Sequence, residues 1–361
     1  MAYQQAYTWV REQQQNNERY GRTRGYAPTK TTTVGAYPRV RPNNKNQKTM
    51  NITCVESLGV SREHFEELKA HYASLGHTFT YYMDRKEDEE TLAERMREAD
   101  IAVISNIKLS ANVLSQCPKL RYLSVAFTGL DHIDLTYCKE HNITVQNAAG
   151  YSTTAVSELA VGMMLDLLRN IVTLNEKIRQ GGSRGTFLGR ELRGKTVGIV
   201  GTGAIGTATI RLLLAFGAKV IAWSRSERPE VKAMGVKYVT LEELLKESDI
   251  VTLHVPLCDE TRGLIGKKEL SLMKPTALLV NTARGPVCDI AAVGKALVDG
   301  RIAGAAFDVF EQEPPLPVDH LLLSTGRCLT TPHIAFATEE SFAARADIVF
   351  GHIDDFLKNI K

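Results

Sequence analysis

The stretch that most constrains this chain is residues 196–228, TVGIVGTGAIGTATIRLLLAFGAKVIAWSRSER. Thr196–Val200 is a short apolar run. Gly201, Gly203 and Gly206 follow in G-x-G-x-x-G spacing and open an apolar helix that ends near Gly217. A second apolar run, Lys219–Trp223, returns at the distance of a strand–helix–strand unit. In such a unit the first glycine permits a tight turn, the second lets a pyrophosphate approach the backbone, and the third lets helix and strand pack closely. The helix N-terminus, here Ala204 and Ile205, turns free N–H groups and a positive dipole end toward the phosphates. The spacing predicts a dinucleotide site built on Gly201, Gly203, Ala204, Ile205 and Gly206.

The end of the second strand selects between nucleotides. An acidic residue about 20 positions past the glycines would bind the free ribose 2′-hydroxyl of NAD. This chain reads Ser224-Arg225-Ser226-Glu227-Arg228 instead, offering hydroxyls and guanidinium groups where a 2′-phosphate would sit. A charge-assisted hydrogen bond contributes roughly 1.5–3 kcal/mol, so one well-placed arginine favours NADPH by about 10- to 150-fold. The expectation is NADP preferred, with NAD still possible because Glu227 is close by.

Composition divides the 361 residues unequally. Residues 1–49 contain no Leu, Ile or Phe and carry nine Lys/Arg against two Glu, a charge of +7. That leaves −4 on residues 50–361 of a chain whose formal total is +3. A segment of this kind buries too little apolar area to offset its ordering entropy, so 1–49 is expected to be a disordered basic tail. The basic balance therefore gives no reason to expect a nucleic-acid partner for the folded body. The tail lacks the apolar stretch of a secretory signal, and no apolar run reaches membrane-spanning length. Six cysteines, at 54, 117, 138, 258, 288 and 328, show no C-x-x-C spacing. They suggest no metal site and fit a reducing, cytoplasmic setting.

From Met50 onward, short apolar runs alternate with helical stretches. Strands are expected at 51–56, 78–83, 101–105, 120–126 and 143–146, with helices at 61–75, 87–99, 109–116 and 133–141. Such alternation gives a parallel sheet covered on both faces. A long, broadly apolar helix follows over 151–170; it could lie against a neighbouring domain or in a dimer interface, and the sequence does not choose. Beyond the glycine turn, strands are expected at 250–255, 277–281, 303–308 and 328–331. Open parallel sheets bind ligands past the carboxyl ends of their strands. At those ends stand Val255-Pro256, Thr282-Ala283-Arg284-Gly285, Asp308 with Glu313, and Pro332-His333. An arginine can hold a carboxylate in a bidentate fork. A histidine can protonate the oxygen formed when hydride reaches a carbonyl carbon, and a neighbouring glutamate favours its charged form and fixes its tautomer. Each residue alone could be an ordinary surface group; three at strand ends beside one crevice suggest a site.

The glycine turn, NTARG at 281–285, DVFEQEP at 308–314 and TPHIAFATEE at 331–340, in this order, resemble the D-isomer-specific 2-hydroxyacid dehydrogenases over essentially all of 50–361. The resemblance implies two doubly wound α/β domains: a flavodoxin-like substrate domain of 50–148 plus 333–361, and a Rossmann-like cofactor domain of 149–332. It implies Arg284 as the residue that binds and orients a 2-oxo acid, His333 as general acid/base and Glu313 as its partner. Gly129, in FTGLDHID, would lie in the loop that meets the substrate carboxylate. Val255 and Pro256 would line the adenosine side of the cofactor and Asp308 its nicotinamide side, with Thr261, Thr282 and Ala283 also binding the cofactor. Ser224-Arg225-Ser226 looks like the NADPH-dependent glyoxylate and hydroxypyruvate reductases, which makes reduction of a small 2-oxo acid the leading expectation and a homodimer the expected assembly. An NAD-dependent D-2-hydroxyacid or 3-phosphoglycerate dehydrogenase and a cofactor-sensing co-repressor-like binding protein are the alternatives. One departure is the stretch His333-Ile334-Ala335-Phe336, where many members carry glycines after the histidine; Phe336 bears on pocket size.

Overall fold

The computed structural model describes residues 48–359. The expected tail therefore lies almost wholly outside the described residues; Lys48 and Thr49 are exposed and in no regular element.

The first half of the chain folds as one parallel sheet. Its strands are β1 (Asn51–Cys54), β2 (Thr78–Tyr81), β3 (Ile101–Ile104), β4 (Tyr122–Val125) and β5 (Thr144–Asn147), in the order β2-β1-β3-β4-β5. Helices α1 (Arg62–Ser74), α2 (Glu89–Met96), α3 (Ala111–Ser115) and α4 (Leu135–Glu140) make the crossovers. Each starts where a side chain can cap it: Ser61, Asp88, Ser110 and Asp134 accept from the backbone N–H three residues on. β3 and β4 are buried along their whole length, as befits central strands covered on both faces. The pairing in β1 stops at Cys54, short of the expected 56, because Glu56 leaves the ladder to bond with neighbouring loops.

The second sheet is wider and also entirely parallel: β12-β11-β10-β9-β6-β7-β8. Its strands are β6 (Thr196–Val200), β7 (Lys219–Trp223), β8 (Lys237–Tyr238), β9 (Ile250–Leu253), β10 (Leu278–Asn281), β11 (Gly304–Phe307) and β12 (Cys328–Thr330). Between the sheets runs α5 (Thr153–Arg169), followed by α6 (Ile171–Arg179); α7 (Ala204–Ala215) follows the glycine turn. The remaining helices are α8 (Pro229–Ala233), α9 (Leu241–Glu247), α10 (Lys267–Leu272), α11 (Ile290–Val298), α12 (Leu321–Ser324) and α13 (Glu339–Asn359).

Two of these helices tie the halves together. In α5, Val156 joins the core of the first sheet, whereas Val161, Met163, Met164 and Leu168 join that of the second and pack with Ile210 and Leu213 of α7. Much of its apolar face is thus covered within the chain, while Leu159, Leu165 and Leu167 are only partly buried. α13 returns to the first sheet, where Ala346, Val349, Phe350, Ile353 and Leu357 are buried and the Ser124 hydroxyl of β4 donates to the Val349 carbonyl at 3.1 Å. The cleft between the sheets is therefore lined by residues from both.

Candidate active site

The order of the second sheet reverses between β6 and β9, and the glycine turn lies at the carboxyl end of β6 beside that point. Gly201 has φ +98°, and a Cβ there would lie 2.7 Å from the His254 carbonyl oxygen. At Gly206 a Cβ would fall 2.0 Å from the Gly201 carbonyl oxygen, so neither position accepts a side chain. At Gly203 a Cβ would meet no protein atom within 4 Å. Gly203 is the N-cap of α7 and has no side chain to cap that terminus. These features form a cradle with unmet hydrogen-bonding capacity, the complement of a pyrophosphate.

The walls of the crevice fit the same group. The buried Thr282 Oγ1, just past β10, and the His254 Nδ1, just past β9, have no hydrogen-bond partner among the described residues. Burial pushes the His254 imidazole down to about 4, so it stays neutral there. The Thr261 hydroxyl donates to the Pro256 carbonyl at 2.6 Å and accepts from the Cys258 N–H at 2.9 Å, bracing the loop after Val255. Ala283 N–H donates to Asn281 Oδ1 at 3.0 Å. Ser224 is half-buried at the end of β7, while Arg225 and Ser226 are exposed.

Across the crevice the three chemistry-bearing residues come together. His333 is buried, has φ +55°, and its Nδ1 lies 2.8 and 3.0 Å from the two Glu313 carboxylate oxygens. An αL conformation is uncommon for a residue with a Cβ, and here surrounding bonds impose it. The His333 N–H donates to the Asp308 carbonyl at 2.9 Å, and the Asp308 carboxylate accepts from the Ile334 and Ala335 N–H groups, both at 2.8 Å, and from the Thr331 hydroxyl. Asp308 is thus turned onto the histidine loop and holds the ring in place. Burial raises the Asp308 carboxyl above the usual carboxylate range, against the opposing charge of His333 and these hydrogen bonds. Burial acts in the same direction on Glu313, but there the hydrogen bond and charge of His333, with Arg284 and Arg85 behind them, win and hold the carboxyl below its ordinary range.

Arg284 follows β10 and reaches the other half of the molecule. Its Nε donates to both Asp131 carboxylate oxygens, at 3.2 and 3.4 Å, and its Nη1 to the Ala283 carbonyl at 2.8 Å. Nη2 lies against Gly129, where a Cβ would sit 1.9 Å from it and 2.6 Å from Asp131 Oδ1. The guanidinium carbon is 5.3 Å from the centre of the Phe127 ring, and that ring meets His333 edge-on at 5.9 Å. Phe127 therefore sits beside both groups. Phe336 and Tyr151 close the aromatic wall, with Phe336 edge-on to His333 at 5.2 Å and to Phe127 at 5.4 Å. His132, also in this loop, is pushed by burial down to about 4, which leaves His333 as the histidine here with a carboxylate partner.

Asp131, Phe127 and Tyr151 were not singled out from the sequence. Asp131 had one signal, an acidic residue two positions past Gly129; the two aromatic residues carried none. No group of three or more His, Cys, Asp or Glu side chains suited to a metal ion occurs among the described residues.

A parallel-sheet pair, a dinucleotide cradle and an Arg/Glu/His set facing it define an NAD(P)-dependent oxidoreductase. Comparison with known proteins makes the class specific. Residues 161–335 match the model of the D-isomer specific 2-hydroxyacid dehydrogenase NAD binding domain. A glyoxylate reductase of Thermococcus litoralis is 40% identical over 277 residues, 74% of this chain and 83% of the relative. A hydroxypyruvate reductase of Blautia hydrogenotrophica is 32% identical over 79% of this chain and 90% of its own. Among solved structures, an acyclic imino acid reductase in complex with NADPH and D-Arg superposes with a TM-score of 0.77 at 30% identity, covering 86% of this chain and 97% of that one. The chain belongs to the D-isomer-specific 2-hydroxyacid dehydrogenase family, oxidoreductases acting on a CH–OH group.

Proposed function

We propose that this enzyme reduces a small 2-oxo acid, of the glyoxylate or hydroxypyruvate kind, to the D-2-hydroxy acid, with NADPH as its preferred cofactor. The observation that carries the reading is the convergence of Arg284 and the His333–Glu313 pair about Phe127, facing the cradle. In this reading 149–332 is the cofactor domain, and 50–148 with 333–361 the substrate domain. Relatives with glyoxylate and hydroxypyruvate reductase names support the substrate class.

Gly201, Gly203, Ala204, Ile205 and Gly206 would hold the pyrophosphate. Val255, Pro256 and Thr261 would take the adenosine side, and Thr282, Ala283 and Asp308 the nicotinamide side. Bound there, the reduced nicotinamide supplies the hydride. Asp131 occupies the Nε edge of Arg284, so the Nη2 corner beside Gly129 is the part left to take the substrate carboxylate and orient its carbonyl. His333, held by Glu313 at Nδ1, presents Nε2 as the proton donor to the carbonyl oxygen, and accepts that proton back in the oxidative direction. The aromatic wall keeps the pocket dry and small, which strengthens both interactions.

NADPH is favoured because Glu227, the acidic residue of that loop, is paired with Lys232, whereas Arg225 is exposed and meets the charge of Glu260 without a close ion pair among the described residues. A solved relative carries NADPH. The exposed apolar side chains Ile171, Val172 and Ile178 of α6, with Leu188 beyond it, would be covered by a second copy of the chain, giving a homodimer. Six free thiols fit a reducing, cytoplasmic setting. NADPH oxidation against a panel of 2-oxo acids tests the whole reading. Turnover of glyoxylate or hydroxypyruvate with higher kcat/KM for NADPH than NADH is expected, and absence of turnover with every acid would overturn it.

A further inference from the structure

The Tyr238 hydroxyl occupies a position that the catalytic reading does not use. It donates to Thr202 Oγ1 at 2.9 Å and accepts from the Arg228 N–H at 3.0 Å. Thr202 lies between Gly201 and Gly203, is fully buried, and its carbonyl accepts from the Thr207 hydroxyl at 3.1 Å, so it is a fixed point of the phosphate-binding turn. On the other side of the loop, the Gly201 N–H donates to the Trp223 carbonyl at 2.7 Å. The residues Ser224–Glu227 are thus strung between two tethers, one at Trp223 and one at Arg228, and both tethers end on the same turn.

β8, which carries Tyr238, pairs through only two residues, Lys237 with Ile221 and Tyr238 with Ala222, at the edge of the sheet. So short a strand adds little ladder of its own, yet it delivers a hydroxyl that bridges two functional loops. We infer that Tyr238 is a positioning residue: it sets the Ser224–Glu227 loop against the turn and thereby sets how sharply the enzyme distinguishes nucleotides at the ribose 2′ position. The inference rests on the reading that Ser224, Arg225 and Ser226 face that ribose. Without the Arg228 tether the loop gains freedom, and a guanidinium that must be ordered on binding discriminates less than one already in place.

Tyr238→Phe keeps the ring, which packs on the core beneath, and removes only the hydroxyl. The measurement is kcat and KM with NADPH and with NADH on one 2-oxo acid. Loss of ordinary hydrogen bonds predicts that the ratio of the two kcat/KM values moves toward unity by about 3- to 10-fold, through KM, with kcat at saturating cofactor changed by less than about twofold. Thr202→Val cuts the Thr202 link from its other end, so the double variant should lose no more discrimination than Tyr238→Phe alone. A ratio that stays constant, KM values that rise equally for both cofactors, or fully additive losses would each overturn the inference. If the parent enzyme prefers NADH, the Arg225 reading fails on its own. The tether is then still supported by a ratio that moves toward unity and refuted by one that does not.

Discussion

The two sheets follow one construction rule and treat its consequence in opposite ways. Each reverses its strand order once, between β1 and β3 in the first and between β6 and β9 in the second, and each opens a crevice past the carboxyl ends there. In the first, the chain fills the crevice itself. The buried Glu56 carboxylate accepts from the Ser105 N–H at 2.8 Å and from Arg85 at 2.7 Å, while the buried Arg345 donates to the Leu58 carbonyl and the Ser105 hydroxyl. In the second, glycines clear the space, the α7 terminus has no capping side chain, and Thr282 Oγ1 and His254 Nδ1 have no hydrogen-bond partner among the described residues. Buried polar groups are expensive to leave unmet. A crevice that is satisfied from within serves stability, and one left unsatisfied fits a ligand.

The contrast is broken most severely at the residues that face the open crevice. Replacing His333 with Ala removes the proposed proton donor, and a fall in kcat of about 10²–10⁴ is expected, with cofactor affinity retained in a fluorescence titration. Near-normal kcat would sink the proton-transfer role. Next in size is Gly129→Ala. The added methyl would strike both Arg284 Nη2 and Asp131 Oδ1, so the guanidinium must move. A displacement of about 1 Å at a positioning residue lowers kcat/KM by about 10²-fold, measured at fixed saturating NADPH, with little change in thermal stability.

How much of this was legible beforehand depended on the range of the interactions. The glycine turn could be read because strand, turn and helix lie within one short stretch and each glycine has a local reason. Arg284, Glu313 and His333 could be nominated because each directly follows a strand or the loop beyond it. What could not be read were contacts between distant segments: Asp131 on Arg284, Phe127 between Arg284 and His333, and Glu56 plugging the first crevice against Ser105. Glu56 looked like the last residue of a strand, and only the fold shows why the strand ends earlier. β8 is too short for a period of two to register, so Tyr238 carried no signal. α6 has no buried residue, and so lacked a core to anchor its reading.

The filled crevice supplies the third test. Glu56→Gln leaves the Ser105 N–H and Arg85 with a weaker, neutral partner in a buried place. Removing the charge from such a pair costs about 2–4 kcal/mol, read as a fall of several degrees in Tm. The comparison is sharpened if KM for NADPH is unchanged in this variant, and broken if cofactor affinity falls as far as stability does.

The smallest effect concerns pH and separates the two kinds of crevice within one side chain. Glu313 belongs to the open side, yet its carboxyl is held below the ordinary range, with burial overcome by the hydrogen bond and charge of His333. A carboxyl depressed in this way stays ionised at neutral pH, so its charge is present where the enzyme works. On the proposed mechanism reduction takes a proton from the enzyme and oxidation returns one, so the two directions should show opposite pH limbs. Glu313→Gln keeps the shape and removes the carboxylate charge 2.8 Å from the His333 ring. The pH profiles of kcat in the two directions should therefore both differ from those of the parent. The stability that the ionised carboxylate contributes is complete above the ordinary carboxylate range and is lost only as pH drops through its depressed value, so parent and variant should converge in Tm at strongly acid pH. Profiles that coincide in both directions would mean that Glu313 only braces the ring, and would place it with Glu56 among the internal fillings.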